Sequence, residues 1–263
     1  MSKRFSDHVV WITGGSAGIG RACALTFARQ GAKVAVSGRR TDKLQQVVAD
    51  LEAMGAEAQA VTCDVTDDEQ IEAAVGAVVD RFGRLDVAVA NAGFSVAGRV
   101  EELSGEDWRR QLGTNVVGAA MTAKFSIPHL KATGGRIGLV GSVSGFIHAP
   151  KLAPYNASKA AVRALGQTLS IELAGTGVSC TTLHPGFVES EIAQVDNAGR
   201  HDPSRRDKRP KHLMWPTERA ATVMVDAIRA RKRELVFTGH GKVGAFIGQH
   251  FPGLAHAVLT RGR

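Results

Sequence analysis

Tyr155 and Lys159, four residues apart, carry the clearest chemistry in the sequence. Pro154 stands just before them and suits the first turn of a helix, where its missing N–H costs nothing. Residues i and i+4 share a helical face, so phenol and ammonium become neighbours. A phenol titrates near ~10, too high for a base at neutral pH. A nearby ammonium favours the phenolate. At about 4 Å and an effective dielectric near ~20 the attraction is about 4 kcal/mol. That would lower the phenol's pKa by as much as roughly three. Tyr155 can then exchange a proton with a substrate oxygen while hydride moves at the carbon. Ser142, thirteen residues earlier at the end of an apolar run, can hold that oxygen in line with the phenol. Asn115 lies inside a long helical pattern, where Asn is a poor residue and marks a local distortion.

A hydride needs a carrier, and the start of the chain offers a place for one. Thr13-Gly14-Gly15-Ser16-Ala17-Gly18-Ile19-Gly20 follows a β-branched run and precedes a helical pattern. Glycines there permit a tight turn and close backbone approach to a pyrophosphate, and the helix N-terminus presents free N–H groups to the phosphates. The second strand ends in Ser37-Gly38-Arg39-Arg40. Gly38 stands where a carboxylate would bind the adenosine ribose of NAD(H), and Arg39 can pair with a 2′-phosphate, so NADP(H) is the expected cofactor. Arg40, one residue on, is expected to point elsewhere.

The elements that must position these groups are legible as an alternation. Strand patterns at Val9–Thr13, Lys33–Ser37, Ala58–Cys63, Leu85–Ala90, Arg136–Ser142, Val178–His184 and Glu234–Thr238 alternate with helical patterns near 19–30, 42–54, 67–82, 105–132, 155–174 and 217–231. Alternation of this kind implies βαβ crossovers and a doubly wound, Rossmann-like α/β fold with a parallel sheet of about seven strands. At 263 residues the chain fits one domain. Cys23, Cys63 and Cys180 are odd in number and far apart, each in an apolar run. That predicts reduced thiols in a cytoplasmic setting, and neither a metal site nor a disulfide framework. Nothing of signal-peptide form precedes the first strand, so secretion is not expected.

With both constellations in view, the chain resembles the short-chain dehydrogenase/reductase family over residues 8 to about 190. The glycine spacing is TGxxxGxG. Cys63-Asp64-Val65 resembles the family's adenine-contacting Asp, and Asn91-Ala92-Gly93 its NNAG motif, with Ala90 in place of the first Asn. Asn115, Ser142, Tyr155 and Lys159 match its catalytic positions. Pro185-Gly186-Phe187-Val188 resembles its PG motif, with Ser190 where Thr is common. The resemblance implies a cofactor site of Gly14, Ser16, Gly18, Ile19, Gly20, Arg39, Asp64, Val65, Asn91, Ala92, Gly93, Tyr155, Lys159, Pro185, Gly186, Val188 and Ser190. It also implies that the Asn115 carbonyl positions a water linking Lys159 to bulk proton exchange, and that the chain forms homodimers or homotetramers through the helices at 105–132 and 155–174. Ala17 departs from those NADP-binding relatives that place a second basic residue there.

On the substrate side, Ser142, Ser144, Phe146, Tyr155 and Phe187 follow strand ends and are candidates to meet a hydrophobic carbonyl or alcohol. The stretch 189–216 holds three prolines and Arg205-Arg206-Asp207-Lys208-Arg209, and is read as a lid that adds Met214 and Trp215. Its cations suit either solvent or a phosphate-bearing substrate. Residues 1–199 carry 19 Lys/Arg against 20 Asp/Glu; residues 200–263 carry 14 against 5, so the basic excess is all in the last quarter. The tail from 240 to 263 has apolar residues at helical spacing broken by Pro252-Gly253, with Lys242, Arg261 and Arg263 nearby. It fits peripheral contact with a membrane surface, or packing on the domain or a second subunit. Nucleic acid is not an expected partner, because the charge comes without a recognition motif. A non-catalytic NADP-binding protein docked through its basic end is the alternative; a sensor, however, has no need of Asn115, Ser142, Tyr155 and Lys159 together.

Overall fold

The computed structural model describes residues 4–207 and 209–261. Lys208 and Arg263, named above in the lid and tail, lie outside the described residues. Strands β1 (Val9–Thr13), β2 (Lys33–Gly38), β3 (Ala58–Thr62), β4 (Val87–Ala90), β5 (Arg136–Val140), β6 (Ser179–His184) and β7 (Glu234–Val236) form one sheet in the order 3-2-1-4-5-6-7. Every neighbouring pair is parallel. Parallel neighbours need crossovers. These are α1 (Gly18–Arg29), α2 (Thr41–Ala53), α3 (Asp68–Phe82), α4 (Gly105–Leu112), α5 (Gly118–Thr133), α6 (Ala153–Glu172) and α7 (Thr217–Arg229). Strand order reverses between β1 and β4, which opens a crevice at the carboxyl ends of the strands.

Helices cover both faces, and this is why the strands read as unbroken apolar runs. On one face Phe27, Leu44, Leu51, Met224 and Ile228 from α1, α2 and α7 pack on the sheet. On the other, Ile71, Val78, Leu130, Val162 and Leu169 come from α3, α5 and α6. Trp11 is fully buried in β1 and its indole N–H donates to Ser37 Oγ at 2.6 Å, so its one polar group is satisfied. Cys23, Cys63 and Cys180 are free and buried. Burial pushes their thiols up to about 12, about 11 and about 12.

Three departures from the sequence pattern matter for the site. β5 ends at Val140, so Gly141 and Ser142 leave the ladder and Ser142 opens a single 3-10 turn over Val143–Gly145. The helical pattern at 105–132 is interrupted by a π-helical turn over Gly113–Val117, with Asn115 at its centre. The tail forms two helices, α8 (Gly239–His250) and α9 (Pro252–Thr260). Among the described residues no helix is long and apolar enough to cross a membrane.

Segment 189–216 is tied down at both ends and in the middle. Glu189 N–H donates to Trp215 O and Trp215 N–H to Phe187 O, both at 3.0 Å. Asn197 exchanges two hydrogen bonds of 3.0 Å with the Ala97 backbone, and Arg110 donates to the Asn197 carbonyl at 2.7 Å.

Candidate active site

At the end of β1, Gly14 takes a φ of +64°, and a Cβ there would stand 2.8 Å from Ala92 Cα. Only glycine lets the turn lie this close to the loop after β4. Thr13 Oγ1 accepts the N–H groups of Asn91 at 3.1 Å and Ala92 at 3.2 Å, and Asn91 Nδ2 donates to the carbonyls of Thr13 and Gly14. Sequence reasoning gave Thr13 no such task, although it heads the glycine motif. Ala17, at the N-cap of α1, makes no side-chain cap, so the first-turn N–H groups remain for an anion.

A cleft of about 400 Å³ runs from this turn to the head of α6. Its lining includes Gly14, Ser16, Gly18, Ile19, Gly20, Arg39, Asp64, Val65, Asn91, Ala92, Gly93, Tyr155, Lys159, Pro185 and Ser190. Of the expected cofactor residues, Gly186 and Val188 do not line it. Val188 is buried, and Gly186 backs onto Thr238 and His240. The glycine cradle, the uncapped helix and the length of this cleft fit a dinucleotide.

Both arginines after β2 reach the cleft, which corrects the expectation for Arg40. Its Nη2 donates to Ser16 Oγ at 3.0 Å and its Nη1 to Glu191 Oε2 at 2.9 Å. The reason is local: the chain has left the strand by Arg40, which caps α2, so strand alternation no longer sets its direction. Arg39 is 60% exposed, donates to the Gly199 carbonyl at 2.9 Å and stands 3.7 Å from Asp64.

At the other end of the cleft, Tyr155 and Lys159 lie on the first turns of α6. Lys159 is 5% exposed, and its Nζ donates to Val140 O at 2.9 Å. Burial pushes its ammonium down to about 8. The Nζ lies 5.7 Å from the centre of the Tyr155 ring. Burial raises the Tyr155 phenol, opposed by the Ser142 hydrogen bond and the charge of Arg209. Lys159 was expected to bring the phenol down; its ammonium instead meets the β5 carbonyl, and desolvation dominates the phenol.

Arg209 comes from the segment read as a lid. It donates to Val188 O at 2.9 Å and Ser190 O at 3.0 Å, and is held by Asp207 at 2.7 Å. No periodicity in that stretch could have singled it out.

Asn115, 2% exposed, sits behind the cleft. Its Oδ1 accepts Phe94 N–H at 3.1 Å, and its Nδ2 donates to Phe94 O at 3.1 Å and Ser158 Oγ at 3.0 Å. The π-helical turn is what aims this amide inward. Ser142 Oγ accepts the Ser144 N–H at 3.1 Å.

The apolar wall differs from expectation. Phe94 lines the cleft, but Phe146 turns away to meet His184 edge-on and lines a second cleft, roofed by α9. Phe187 stacks on His240, and its N–H donates to His240 Nε2 at 3.0 Å. Trp215 packs toward Phe237 and the core, anchoring its segment instead of facing a substrate.

Comparisons with known proteins agree with this architecture. A family model described as short chain dehydrogenase matches residues 8–201. A 3beta-hydroxysteroid dehydrogenase of Mediterraneibacter gnavus is 32% identical over 74% of this chain and 71% of its own. A short chain dehydrogenase/reductase from Burkholderia phymatum, solved with NAD, superposes with a TM-score of 0.80 at 30% identity, covering 88% of this chain and 89% of that one. An alcohol dehydrogenase from Thermococcus sibiricus, solved with 5-hydroxy-NADP, gives 0.76 at 31% identity, covering 88% and 96%. With its matched motifs, parallel sheet and dinucleotide cleft, this chain belongs to the short-chain dehydrogenase family of oxidoreductases.

Proposed function

We propose that the protein is an NADP(H)-dependent oxidoreductase that interconverts a carbonyl and a secondary alcohol on a hydrophobic substrate. The observation that carries this is Tyr155 and the buried Lys159, together on the first turns of α6 at one end of a cleft whose other end is an uncapped helix and a glycine cradle. A bound nicotinamide supplies or accepts the hydride. Tyr155 gives or takes the proton at the substrate oxygen, and Ser142 holds that oxygen by its hydroxyl. Lys159, freed from Val140 O, would bind the nicotinamide ribose and favour the phenolate. Asn115 would place the water that connects Lys159 to solvent. Arg39 and Arg40 support a 2′-phosphate, and the steroid specificity in one relative's name supports a large apolar substrate.

The test is a panel of carbonyls and alcohols followed by nicotinamide absorbance with both cofactors. Turnover of a cyclic or apolar ketone with NADPH is expected. No turnover with any member, by a protein that still binds NADPH, overturns the reading and favours a non-catalytic NADP-binding protein docked through its basic end.

The whole chain is proposed as one domain, with 189–216 as its lid. Exposed Val117 and Ile171, beside α5 and on α6, support a homodimer or homotetramer. The tail supports contact with an anionic lipid surface. Val243, Phe246, Phe251, Leu254 and Val258 are all more than half exposed, and no Asp or Glu follows Glu234. The tail's first helix also carries His240 against the Phe187 turn, so removing everything from 240 would damage the site. Deleting residues 252–263 should abolish binding to phosphatidylserine vesicles while turnover in solution and sedimentation mass persist. Loss of the oligomer with unchanged vesicle binding would instead put the tail between subunits.

A further inference from the structure

Beneath Ser142 lies a polar network, buried at His184 and half-buried at Glu234 and Arg163, that the proposed chemistry leaves unused. His184 ends β6 and is fully buried. Its Nδ1 is 3.3 Å from the Ser142 carbonyl oxygen and its Nε2 is 3.0 Å from Glu234 Oε1. A carbonyl and a carboxylate can only accept, so both contacts are hydrogen bonds only when both ring nitrogens carry protons. Glu234, the first residue of β7, also accepts from Arg163 Nε at 2.8 Å. The His184 hydrogen bond, helped by Arg163 against burial, holds its carboxyl at about 2.

The surroundings are shaped to this ring. A Cβ at Gly141 would stand 2.6 Å from His184 Nδ1, so the imidazole fits only because that residue is glycine. Phe146 meets the ring edge-on at 4.8 Å, with the Arg163 guanidinium over its far side at 4.2 Å. The Ser142 carbonyl also accepts the Gly145 N–H at 3.0 Å, closing the 3-10 turn that carries Ser144. The charged groups facing His184 are Glu234 from β7 and Arg163 from α6. Gly141 and Ser142 on the β5 side and Phe146 in the turn bring none.

We propose that His184, anchored by Glu234, is a positioning residue that holds the Ser142 turn in place beside Tyr155. Nδ1–H donates to the Ser142 carbonyl, and the Nε2 contact to Glu234 fixes the plane of the ring. The inference rests on the roles proposed for Ser142 and Tyr155, but its main readout needs no turnover.

Tyr155 is the sole tyrosine, so phenolate absorbance titrates that group alone. In His184→Leu the phenol should titrate higher by about half a pH unit or more, because the Ser142 hydrogen bond that favours the phenolate is weakened. His184→Asn, which can present an N–H near the Nδ1 position, should stay at the wild-type value. Glu234→Ala, which removes the Nε2 partner, should move the same way as His184→Leu and serves if that variant does not fold. Ring nitrogen-15 shifts of histidine-labelled protein, assigned against His184→Asn, should show a proton on His184 Nδ1. In a turnover assay, kcat should fall about ten-fold in His184→Leu with cofactor Kd unchanged, and His184→Asn should restore it. A His184 Nδ1 without a proton, or a phenol titration unmoved in both His184→Leu and Glu234→Ala, overturns the proposal. Failure of the function reading would appear separately, as absent turnover with the nitrogen shifts and phenol titrations as expected.

Discussion

Tyr155→Phe should lower kcat by about 10²–10⁴-fold, the range general acid–base catalysis supplies, while cofactor affinity stays within a few-fold. The change removes one oxygen at the mouth of the cleft and leaves the ring between Ser142 and Lys159. A variant that keeps substantial turnover would remove Tyr155 from the chemistry. Lys159→Met should be worse in both respects. Lys159 is buried and bonded to the Val140 carbonyl, so its loss strips the ribose contact as well as the charge that favours phenolate. The pH dependence follows from the same geometry. Burial places the Lys159 ammonium at about 8 and the phenol above its ordinary value. In the absence of cofactor the charged Lys159 is therefore lost as pH rises through about 8, before the phenolate forms. Unfolded, the same ammonium keeps its proton to ~10.5. Lys159 thus costs stability below its folded pKa, and that cost is relieved between about 8 and ~10.5. Lys159→Met should remove this rise from a denaturation series over that range.

Replacing Arg39 and Arg40 together by leucine should reduce the preference for NADPH over NADH by about ten- to a hundred-fold, the equivalent of one or two charge-assisted hydrogen bonds. Either single change should do less. Arg39 is exposed and bonded only to a carbonyl and, loosely, to Asp64, so it is free to turn to a 2′-phosphate. Arg40 is shared between Ser16 and Glu191, and part of its charge is already neutralised by that carboxylate. The double change Gly38→Asp with Arg39→Leu should reverse the preference, because it adds a ribose acceptor and repels the phosphate. Titration with each cofactor decides the matter. Equal binding of both by the wild-type protein would sink the claim and leave the two arginines as ties between β2, the glycine turn and the segment after β6.

The sequence made legible whatever a local backbone period determines. Tyr155 and Lys159 share a face because helical residues four apart must, and Asn115 marked its π-helical turn because Asn sits poorly in an uninterrupted helix. All seven strands were legible, to within two residues at each end; β1 and β4 are buried along their whole length and leave unbroken apolar runs, while the edge strands β3 and β7 stand out by their place in the alternation. Side-chain direction beyond those periods was not. Arg40 follows the last strand residue, where alternation no longer applies. Phe146 follows a turn, and its direction is set by His184 and Arg163 from elsewhere in the chain. Arg209 reaches Val188 and Ser190 only because Trp215 pins its segment against the β6 end. His184 looked like one more residue of an apolar strand; its partners, Ser142, Glu234 and Arg163, come from three other elements.

The three thiols sit on opposite sides of the sheet. Cys23 belongs to the layer formed by α1, α2 and α7, while Cys63 and Cys180 belong to the layer of α3, α5 and α6. Each is protonated at neutral pH and out of contact with solvent. An alkylating reagent therefore reacts only with molecules in which a helix has lifted from the sheet, and its rate at each position measures how often that happens. The chain thus carries its own opening gauges, Cys23 for the first layer and Cys180 for the second, whereas Cys63 lines the cleft itself. They can register whether a nucleotide filling the crevice between β1 and β4 clamps both layers or only one.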